Sequence, residues 1–516
     1  MKRILIIPMV LLTLSKTMGQ STLIENLPIY YSKLYYLQNG YAFTNIGKKN
    51  KDDTRDFLIK YYDENLKNTN SVTIKTPKNQ SKKSLVFNGS NFLSIFEDFK
   101  EKKYVYYIHD LESNELAKKE YVFKEKIKGE KNYKETLPHI SFYDETGFVF
   151  FKSVRGEKWG YTVEKVDNKL NTVWTYSFIP EKGYVDYLRP VVNENGIAFL
   201  EFVPNRSVQM SVGGIGKDDK DFYNLVILDK ETGKLSGKYN LLQSGDYLTP
   251  TSIVIEEDQS VLLGGMYTNS ISDKKNNSTG TYLAKISAQG KEVFMTKLPW
   301  KDESNGLQKF LSSGKKKKGL SFTPKVKYHR ISKVDGKYYL VGEIFEKAIS
   351  AGGMAAKLAL KALGDKEEGP SDISFNILDF IVLTFDQDGK LVNKALAKKP
   401  KKTIFQESND VLSGGMSQAE NLEFDYAFTT KDGTNDKGVF FKAQETKKLK
   451  TTTYFAYFDL KHTGEEIEVK RIPFKFQGKM FDGDYDLQLF PYSGNKILKY
   501  EYYRDKSKLY LDVLSF

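Results

Sequence analysis

Hydrophobic and polar positions alternate in short runs along most of this chain. The clearest stretch begins with His139–Tyr143, which is followed by the polar turn Asp144–Gly147 and the apolar run Phe148–Phe151. After a polar gap, Tyr161–Val166 and Thr172–Phe178 complete the stretch, with a second turn between them. Alternation with a period of two, bounded by Gly, Asp and Asn, predicts antiparallel strands joined by hairpin turns. The stretch therefore predicts a unit of four strands.

This unit recurs eight times, and two turns mark each recurrence. The first turn contains or adjoins a glycine in most units and Glu257–Gln259 in the fifth: Gly40, Gly89, Gly147, Gly196, Gly336, Gly433 and Gly494. The second turn recurs at Asp63–Asn65, Glu112–Asn114, Asp167–Lys169, Asp229–Gly233, Ala288–Gly290, Asp386–Gly389 and Lys461–Gly464. Hairpin turns favour Gly, Asn and Asp because they need positive φ angles, so we interpret these residues as structural rather than catalytic.

Repetition of a four-stranded unit predicts an all-β fold, a β-propeller of about eight four-stranded blades. The chain resembles β-propeller repeat proteins in this respect, at the level of the fold and of no specific family. The pattern leaves the exact number open between seven and eight.

The eighth unit has only three strand-like runs, Asp486–Phe490, Lys496–Tyr503 and Lys508–Leu514. An unassigned strand-like run, Leu27–Tyr31, precedes the first unit. Because an open outer edge exposes a sheet to aggregation, we expect an N-terminal strand to complete the last blade. Pro28 is compatible with that place, since one side of an outer strand is unpaired.

The N-terminus has the pattern of a secretory signal peptide. Lys2 and Arg3 precede the apolar run Ile4–Leu14, and Thr17–Gly19 supplies the small residues of a cleavage site. We therefore expect residues 1–19 to be removed, Gln20 to become the first residue, and residues 20–516 to form a single propeller domain. Cysteine is absent from the chain, which excludes disulfides and thiol chemistry.

Three segments exceed the length of a minimal unit: residues 205–220, 301–325 and 345–372. The first is rich in glycine but lacks the spacing of a phosphate-binding loop, and the second contains the basic run Lys315–Lys318. The third is rich in residues that favour helices, so we predict one short inserted helix over Ala348–Leu363. We expect it to pack on the ring as a lid or to contact a partner or a membrane surface.

The net charge is +13 at pH 7 and is carried mainly by Lys. Further basic runs lie at Lys48–Lys51 and Lys398–Lys402, and we interpret them as solvated loops that maintain solubility or attract acidic polysaccharide or anionic lipid. Arg, the preferred residue for reading bases and phosphates, is scarce, which argues against specific nucleic-acid recognition. In its Lys- and Asn-rich, cysteine-free style the chain resembles envelope proteins of Bacteroidota. No apolar run after the N-terminus is long enough to span a membrane as a helix.

The search for catalytic chemistry gives few candidates. His109, His139, His329 and His462 are scattered without the spacing of a zinc site, and no G-x-S-x-G motif is present. Leu412–Met416 is similar to an ABC-transporter signature but has no accompanying Walker A loop. Three alternating carboxylates, on Asp482, Asp484 and Asp486, form a candidate calcium site that lacks the later Glu of an EF-hand. No other cofactor is expected.

These observations favour an exported, non-enzymatic binding or scaffold propeller of the cell envelope, located in the periplasm, on the outer-membrane surface or outside the cell. Its partner would be an envelope protein or a polysaccharide, bound through the long loops of units four to six. Two alternatives remain open at this point. One is a glycan-active hydrolase or lyase with its site in the central funnel, and the other is an outer-membrane β-barrel.

Overall fold

The structure, a computed structural model, contains antiparallel sheets built as the repeat predicts. It describes residues 21–24, 33–37, 40–63, 65–122, 137–154, 159–181, 185–203, 222–243, 245–268, 278–307, 325–349, 373–405, 423–432, 435–447, 450–474, 476, 485–492, 496–503 and 508–515. The predicted signal peptide, residues 1–19, lies outside the described residues. Every element with defined bounds is a β-strand.

In chain order the strands are β1 (Ser21–Ile24), β2 (Lys33–Leu37), β3 (Gly40–Lys49), β4 (Thr54–Tyr62), β5 (Asn68–Pro77), β6 (Gln80–Phe87), β7 (Asn91–Asp98), β8 (Lys103–Asp110), β9 (Glu115–Val122), β10 (His139–Ser141), β11 (Gly147–Val154), β12 (Gly160–Asp167), β13 (Thr172–Phe178), β14 (Asp186–Asn193), β15 (Gly196–Val203), β16 (Phe222–Leu228), β17 (Leu235–Asn240) and β18 (Leu242–Gln243). They continue as β19 (Asp246–Ile255), β20 (Val261–Thr268), β21 (Gly280–Ile286), β22 (Glu292–Pro299), β23 (Lys325–Val334), β24 (Lys337–Ile349), β25 (Ile373–Phe385), β26 (Leu391–Ala397), β27 (Lys402–Phe405), β28 (Tyr426–Asp432), β29 (Asn435–Lys447), β30 (Lys450–Asp459), β31 (Glu466–Ile467), β32 (Lys470–Ile472), β33 (Tyr485–Pro491), β34 (Lys496–Tyr503) and β35 (Lys508–Ser515).

These strands form eight sheets, which are the blades of a β-propeller. Blades 1 to 4 are β2–β5, β6–β9, β10–β13 and β14–β17, and blade 5 is β19–β22 with the short β18 on its inner edge. Blade 6 is β23–β26, extended by β27 and by a parallel contact with β31. Blade 7 is β28, β29, β30 and β32, and blade 8 is β33–β35 with β1. The predicted all-β propeller of eight four-stranded blades is confirmed.

The N-terminus completes the last blade, as expected. Strand β1 pairs antiparallel with β35, with Ser21 opposite Asp512 and Ile24 opposite Leu509. The closing strand is therefore Ser21–Ile24, whereas the run Leu27–Tyr31 that we proposed for this place lies outside the described residues. One blade thus joins the two ends of the described chain.

The hydrophobic core is divided among the interfaces between neighbouring blades. A buried apolar cluster lies between each successive pair of blades, and the eighth cluster packs Leu34 and Tyr41 of blade 1 against Leu498 and Tyr500 of blade 8. The second strand of a blade has both faces covered by neighbours, which is why all eight residues of β7 are buried. Without a solvated face this strand shows no strict alternation, and its polar residues Asn91, Ser94, Glu97 and Asp98 are buried together with its four apolar residues.

A bulge recurs in the outermost strand of blades 1 to 6. In each case the register skips one residue near the start of the fourth strand: Thr69, Leu116, Val173, Ser236, Val293 and Val392. Bulges increase the twist of a strand and hinder pairing with a second sheet edge. This repeated irregularity protects the rim of the ring.

Two turn glycines have similar positive φ angles but different surroundings, so substituting each of them distinguishes the cost of backbone strain from the cost of steric overlap. Gly389 and Gly464 lie in the second turns of blades 6 and 7, with φ angles of +79° and +88°. A Cβ atom at Gly389 would lie 2.3 Å from Cδ2 of Phe294 in blade 5, whereas nothing lies within 4 Å at Gly464.

We expect Gly464→Ala to lower the free energy of unfolding by about 1–2 kcal/mol, the cost of a left-handed conformation for a residue with a Cβ atom. Gly389→Ala should cost roughly 1–3 kcal/mol more, because Phe294 must also move. Urea denaturation of the two variants measures the difference. Equal costs would show that Phe294 moves aside without a penalty.

The prediction of a helix over Ala348–Leu363 is wrong at its start. Ala348 and Ile349 continue strand β24 and pair with Ser374 and Ile373 of β25. Local helix propensity is a weak preference that sheet pairing overrides here. The remaining residues of the predicted helix lie outside the described residues.

Candidate binding face

The topology separates the connections of the ring onto two opposite faces. Strands in each blade are antiparallel, so the turns after the first and third strands leave at one face, which we call the turn face. The connections after the second and fourth strands leave at the other, which we call the connection face. Turns on the turn face are two to six residues long, apart from 460–469 in blade 7, which includes β31.

Aspartates on the turn face hold the turns together. Four of them accept hydrogen bonds from the backbone N–H groups two and four residues later, at distances of 2.8–3.1 Å: Asp63, Asp110, Asp167 and Asp386. Partial burial tends to raise the pKa of Asp167, but its hydrogen bonds with Asn171 and Lys169 hold it below the ordinary value. The structural interpretation of these aspartates is confirmed.

The connection face carries the long segments of the chain. Seven of the connections at this face have eleven residues or more: 123–138, 204–221, 269–279, 300–324, 350–372, 406–425 and 473–484. Others at the same face, such as 50–53, 78–79 and 99–102, have two to four residues. All three insertions identified in the sequence are among these connections. Residues 205–220 lie outside the described residues, as do 308–324 and 350–372 of the other two insertions.

Blade 6 is extended toward the connection face. Its second and third strands, β24 and β25, have thirteen residues each, and Phe345–Ile349 pairs with Ile373–Ile377 beyond an irregularity in the register. Strand β27 pairs with the same part of β25. Phe345, Phe375 and Ile377 form a small buried cluster of their own. The extension is therefore a small packed sheet above the blade.

A buried ionic network lies at the base of this extension, between blades 6 and 7. The Lys399 ammonium lies 3.1 Å from Oε2 of Glu343 and 2.6 Å from Oδ2 of Asp425, and the side chains of Lys399 and Glu343 are fully buried. The backbone N–H of Tyr426 donates to Oε1 of Glu343 at 2.8 Å, and Nε2 of His329 lies 3.2 Å from the same oxygen. The network thus ties together β23, β24, the end of β26 and the start of β28.

The two carboxylates respond differently to burial. Burial by itself raises the pKa of Glu343, but His329, Lys399 and the Tyr426 backbone more than offset it and bring the pKa below its ordinary value. Burial raises the pKa of Asp425, and Lys399 compensates only in part. Since Lys402 also lies 3.6 Å from Asp425, the arrangement balances charge and leaves no carboxylate of the network without a cation nearby.

The structure corrects our interpretation of the basic run Lys398–Lys402. Lys398 is 63% exposed, as a solvated loop residue should be, but Lys399 is fully buried. The sequence signal that we missed is Glu343, a carboxylate in the middle of the apolar strand β24. A buried acid requires a partner, and the partner comes from a charged run more than fifty positions later in the chain.

Blade 8 contains a comparable network. Lys499 lies 2.6 Å from Glu501 and 2.7 Å from Asp512, and the side chains of Lys499 and Glu501 are fully buried. The Tyr503 hydroxyl donates to Glu501. Asp512 therefore interrupts the alternation of the last strand for a structural reason.

Of the three candidate calcium ligands the structure describes only Asp486, so that site stays a prediction. Asp486 lies in β33, where it accepts a hydrogen bond from Gln488, while Asp482 and Asp484 lie outside the described residues. The four histidines belong to four different blades: His109, His139, His329 and His462. Within the described residues, no group of three or more His, Cys, Asp or Glu side chains is placed to hold a metal ion. The motif at Leu412–Met416 and the run Lys315–Lys318 lie outside the described residues.

The part of the chain that the structure describes contains no helix of the length and apolarity needed to cross a membrane.

A model of the family of unknown function DUF6770 matches residues 1–513. No curated protein matches the sequence. Among solved structures, the β-propeller domain of the Trilobed protease from Pyrococcus furiosus is similar, with 12% identity over 73% of this chain and 99% of that chain and a TM-score of 0.31. The acylaminoacyl peptidase of Pyrococcus horikoshii has 9% identity over 86% of this chain and 60% of its own, with a TM-score of 0.31. A protein of unknown function from Bacteroides caccae has 10% identity over 54% of this chain and 94% of its own, with a TM-score of 0.25. Likenesses this distant transfer no functional residue to this chain.

Proposed function

Since the chain belongs to the DUF6770 family, whose function is unknown, we propose its function from its own geometry: a non-enzymatic binding propeller that holds its partner on the connection face. The observation that carries this proposal is the unequal distribution of chain between the two faces. The turn face has turns of two to six residues apart from 460–469, whereas seven connections of eleven to twenty-five residues and the extension of blade 6 belong to the connection face, beside shorter connections. Long loops on a rigid scaffold are where binding usually resides.

The buried charges support a binding role over a catalytic one. The interior carboxylates Glu201, Glu343 and Glu501 each have a lysine within 2.5–3.1 Å, and their hydrogen bonds connect strands of the same or neighbouring blades. A general acid or base must reach its substrate, which fully buried and ion-paired carboxylates cannot do. Their geometry fits a rigid framework.

We place this binding protein in the cell envelope, as an exported protein whose partner is an envelope protein or a polysaccharide. The support for export is the signal pattern of residues 1–19 together with the position of the closing strand. Strand β1 begins at Ser21, one residue after the expected first residue Gln20. Cleavage after Gly19 would therefore leave the closing strand intact at the new N-terminus.

Chemical cross-linking in the native cell tests the proposal. The two faces carry comparable exposed lysines: Lys78, Lys100, Lys102 and Lys301 on the connection face, and Lys169, Lys337, Lys390 and Lys461 on the turn face. We expect cross-links from an envelope partner to concentrate on the first set, and the recovered protein to begin at Gln20 by intact mass.

A shortened variant provides the matching genetic test. Replacing residues 350–372 by Asn-Gly joins the paired residues Ile349 and Ile373 by a two-residue turn, so the fold should be retained. We expect loss of most partner cross-links, whereas Lys169→Ala with Lys390→Ala on the turn face should change little. Cross-links that concentrate on the turn face, or that survive the shortening unchanged, would contradict the proposal.

A further inference from the structure

A cavity opens on the connection face between blades 1 and 2, away from the ionic networks. Its volume is about 250 Å³, below the range of roughly 300–1,000 Å³ that is usual for drug-sized ligands. It is bounded by Arg55 of β4, by the turn between β5 and β6, and by Phe99 after β7. A cavity of this size accommodates one ring with its substituents.

The floor and one wall of the cavity are aromatic. Phe57 and Phe96 are buried and contact each other edge to face, with ring centroids 5.3 Å apart. Phe99 forms an exposed wall, with 59% of its surface accessible, and the Lys83 ammonium lies 5.0 Å from its ring centroid. Aromatic faces are negative and attract C–H groups and cations, so they suit the apolar face of a sugar ring.

The charges at the cavity favour an anionic ligand. Asp53 is paired with Lys49 and Lys78, and Asp98 is held by Asn79, Gln80 and two backbone N–H groups. The exposed guanidinium of Arg55 has no carboxylate within ion-pair distance in the described part of the chain. Arg presents a planar fork that matches a carboxylate.

We propose that this cavity binds an acidic sugar residue, with the carboxylate on Arg55 and the apolar ring face on Phe99. The proposal goes beyond the binding function proposed above, because the cavity is bordered by short turns of blades 1 and 2 rather than by the long connections. The aromatic wall distinguishes this ligand from a bare anion.

Calorimetry with trigalacturonate as the probe tests the site, using the chain from Gln20 to Phe516. Wild-type protein should bind trigalacturonate, and Arg55→Gln should weaken binding at least tenfold and Phe99→Ser at least fivefold. Lys291→Gln removes one exposed positive charge from the turn face and should change the affinity less than twofold. Neutral galactotriose should bind at least tenfold more weakly than trigalacturonate, and Arg55→Gln should not affect it.

Hydrogen exchange and competition experiments test the same site without depending on the variants. Hydrogen exchange of the wild-type complex should show protection at residues 78–82 and 96–102, which requires no variant to fold. Galacturonate monomer should compete if one ring fills the cavity. The proposal is overturned if wild-type protein does not bind trigalacturonate, if both variants bind unchanged, or if inorganic phosphate competes as well as galacturonate, since the site would then recognise an anion only. Partner cross-links on the connection face without trigalacturonate binding would refute the sugar site alone and leave the binding function standing.

Discussion

Removal of residues 20–24 from a chain that begins at Gln20 is expected to make the ring aggregate. The deletion removes β1 and exposes the edge of β35, a strand whose partner side then presents free N–H and C=O groups. At about 0.5–1.5 kcal/mol per backbone hydrogen bond, loss of the four residue pairs should cost roughly 2–4 kcal/mol. Size-exclusion chromatography with light scattering and thermal unfolding of chains beginning at Gln20 and at Glu25 measure both effects.

Rescue by a peptide separates edge exposure from a general loss of stability. A synthetic peptide of residues 20–25 should restore solubility of the shortened protein by adding the missing strand. The same peptide with proline at positions 22 and 23 should fail, because proline has no N–H group to pair with β35. If the shortened protein remains monomeric with unchanged melting, β1 does not close the ring.

This closure illustrates what the sequence could and could not predict. The need for a fourth strand in blade 8 followed from counting runs, but the strand that pairs with β35 is Ser21–Ile24, ahead of the run Leu27–Tyr31 that we had proposed for this place. A four-residue outer strand is stabilised by backbone pairing with its neighbour, which leaves little trace in side-chain pattern. The eight blades were predictable for the opposite reason, since second strands such as β15 are buried along most of their length and are mainly apolar.

The connection face was partly predictable and its chemistry was not. The three long insertions could be located from interruptions of the repeat, and the antiparallel order of strands then assigns them to one face. The cavity between blades 1 and 2 combines residues from five strands and two turns, among them Arg55, Gln80 and Phe99, none of which stands in a recognisable motif. Such a site depends on distances between blades, which local pattern does not encode.

Lys399→Met should be among the most destabilising single substitutions in the described part of the chain. It leaves the carboxylates of Glu343 and Asp425 buried without their central cation. Breaking a buried ion pair by removing one partner typically costs about 3–5 kcal/mol. With an unfolding entropy of about 2.1 cal/mol/K per residue, a chain of roughly 500 residues should melt about 3–5 °C lower.

The neighbouring lysine provides a matched control. Lys398 pairs with Glu466 at 2.5 Å, but both side chains are more than 60% exposed. Lys398→Met makes the same chemical change one residue away and should lower the free energy of unfolding far less than Lys399→Met, because exposed ion pairs contribute little to stability. The triple variant Lys399→Met, Glu343→Gln, Asp425→Asn removes the unpaired charges and should recover most of the stability, because a neutral replacement of a buried ion network is often nearly neutral.

The pH dependence of the Lys399→Met defect has a definite sign. Burial already raises the pKa of Asp425 above its ordinary value of 3.8, and loss of Lys399 removes a cation that opposes the rise. An acid whose pKa is raised by folding stabilises the fold when the pH lies below its pKa in the unfolded state. That stabilisation is lost as the pH rises through its pKa in the folded state. Glu343 has the opposite effect in the wild type, because its pKa is lowered by folding. Its ionised form stabilises the fold above about pH 4.5, and this stabilisation is lost as the pH falls.

Both carboxylates therefore make the difference in unfolding free energy between the wild type and Lys399→Met smaller at acidic pH. We expect the loss in unfolding free energy, measured by urea denaturation, to be largest at pH 7 and to shrink toward pH 4. A loss that is equal at the two pH values, or no larger than that of Lys398→Met, would show that the network does not carry buried charge. In that case the link between the extension of blade 6 and blade 7 would depend on the packing of Phe345, Phe375 and Phe424 rather than on the ion pairs.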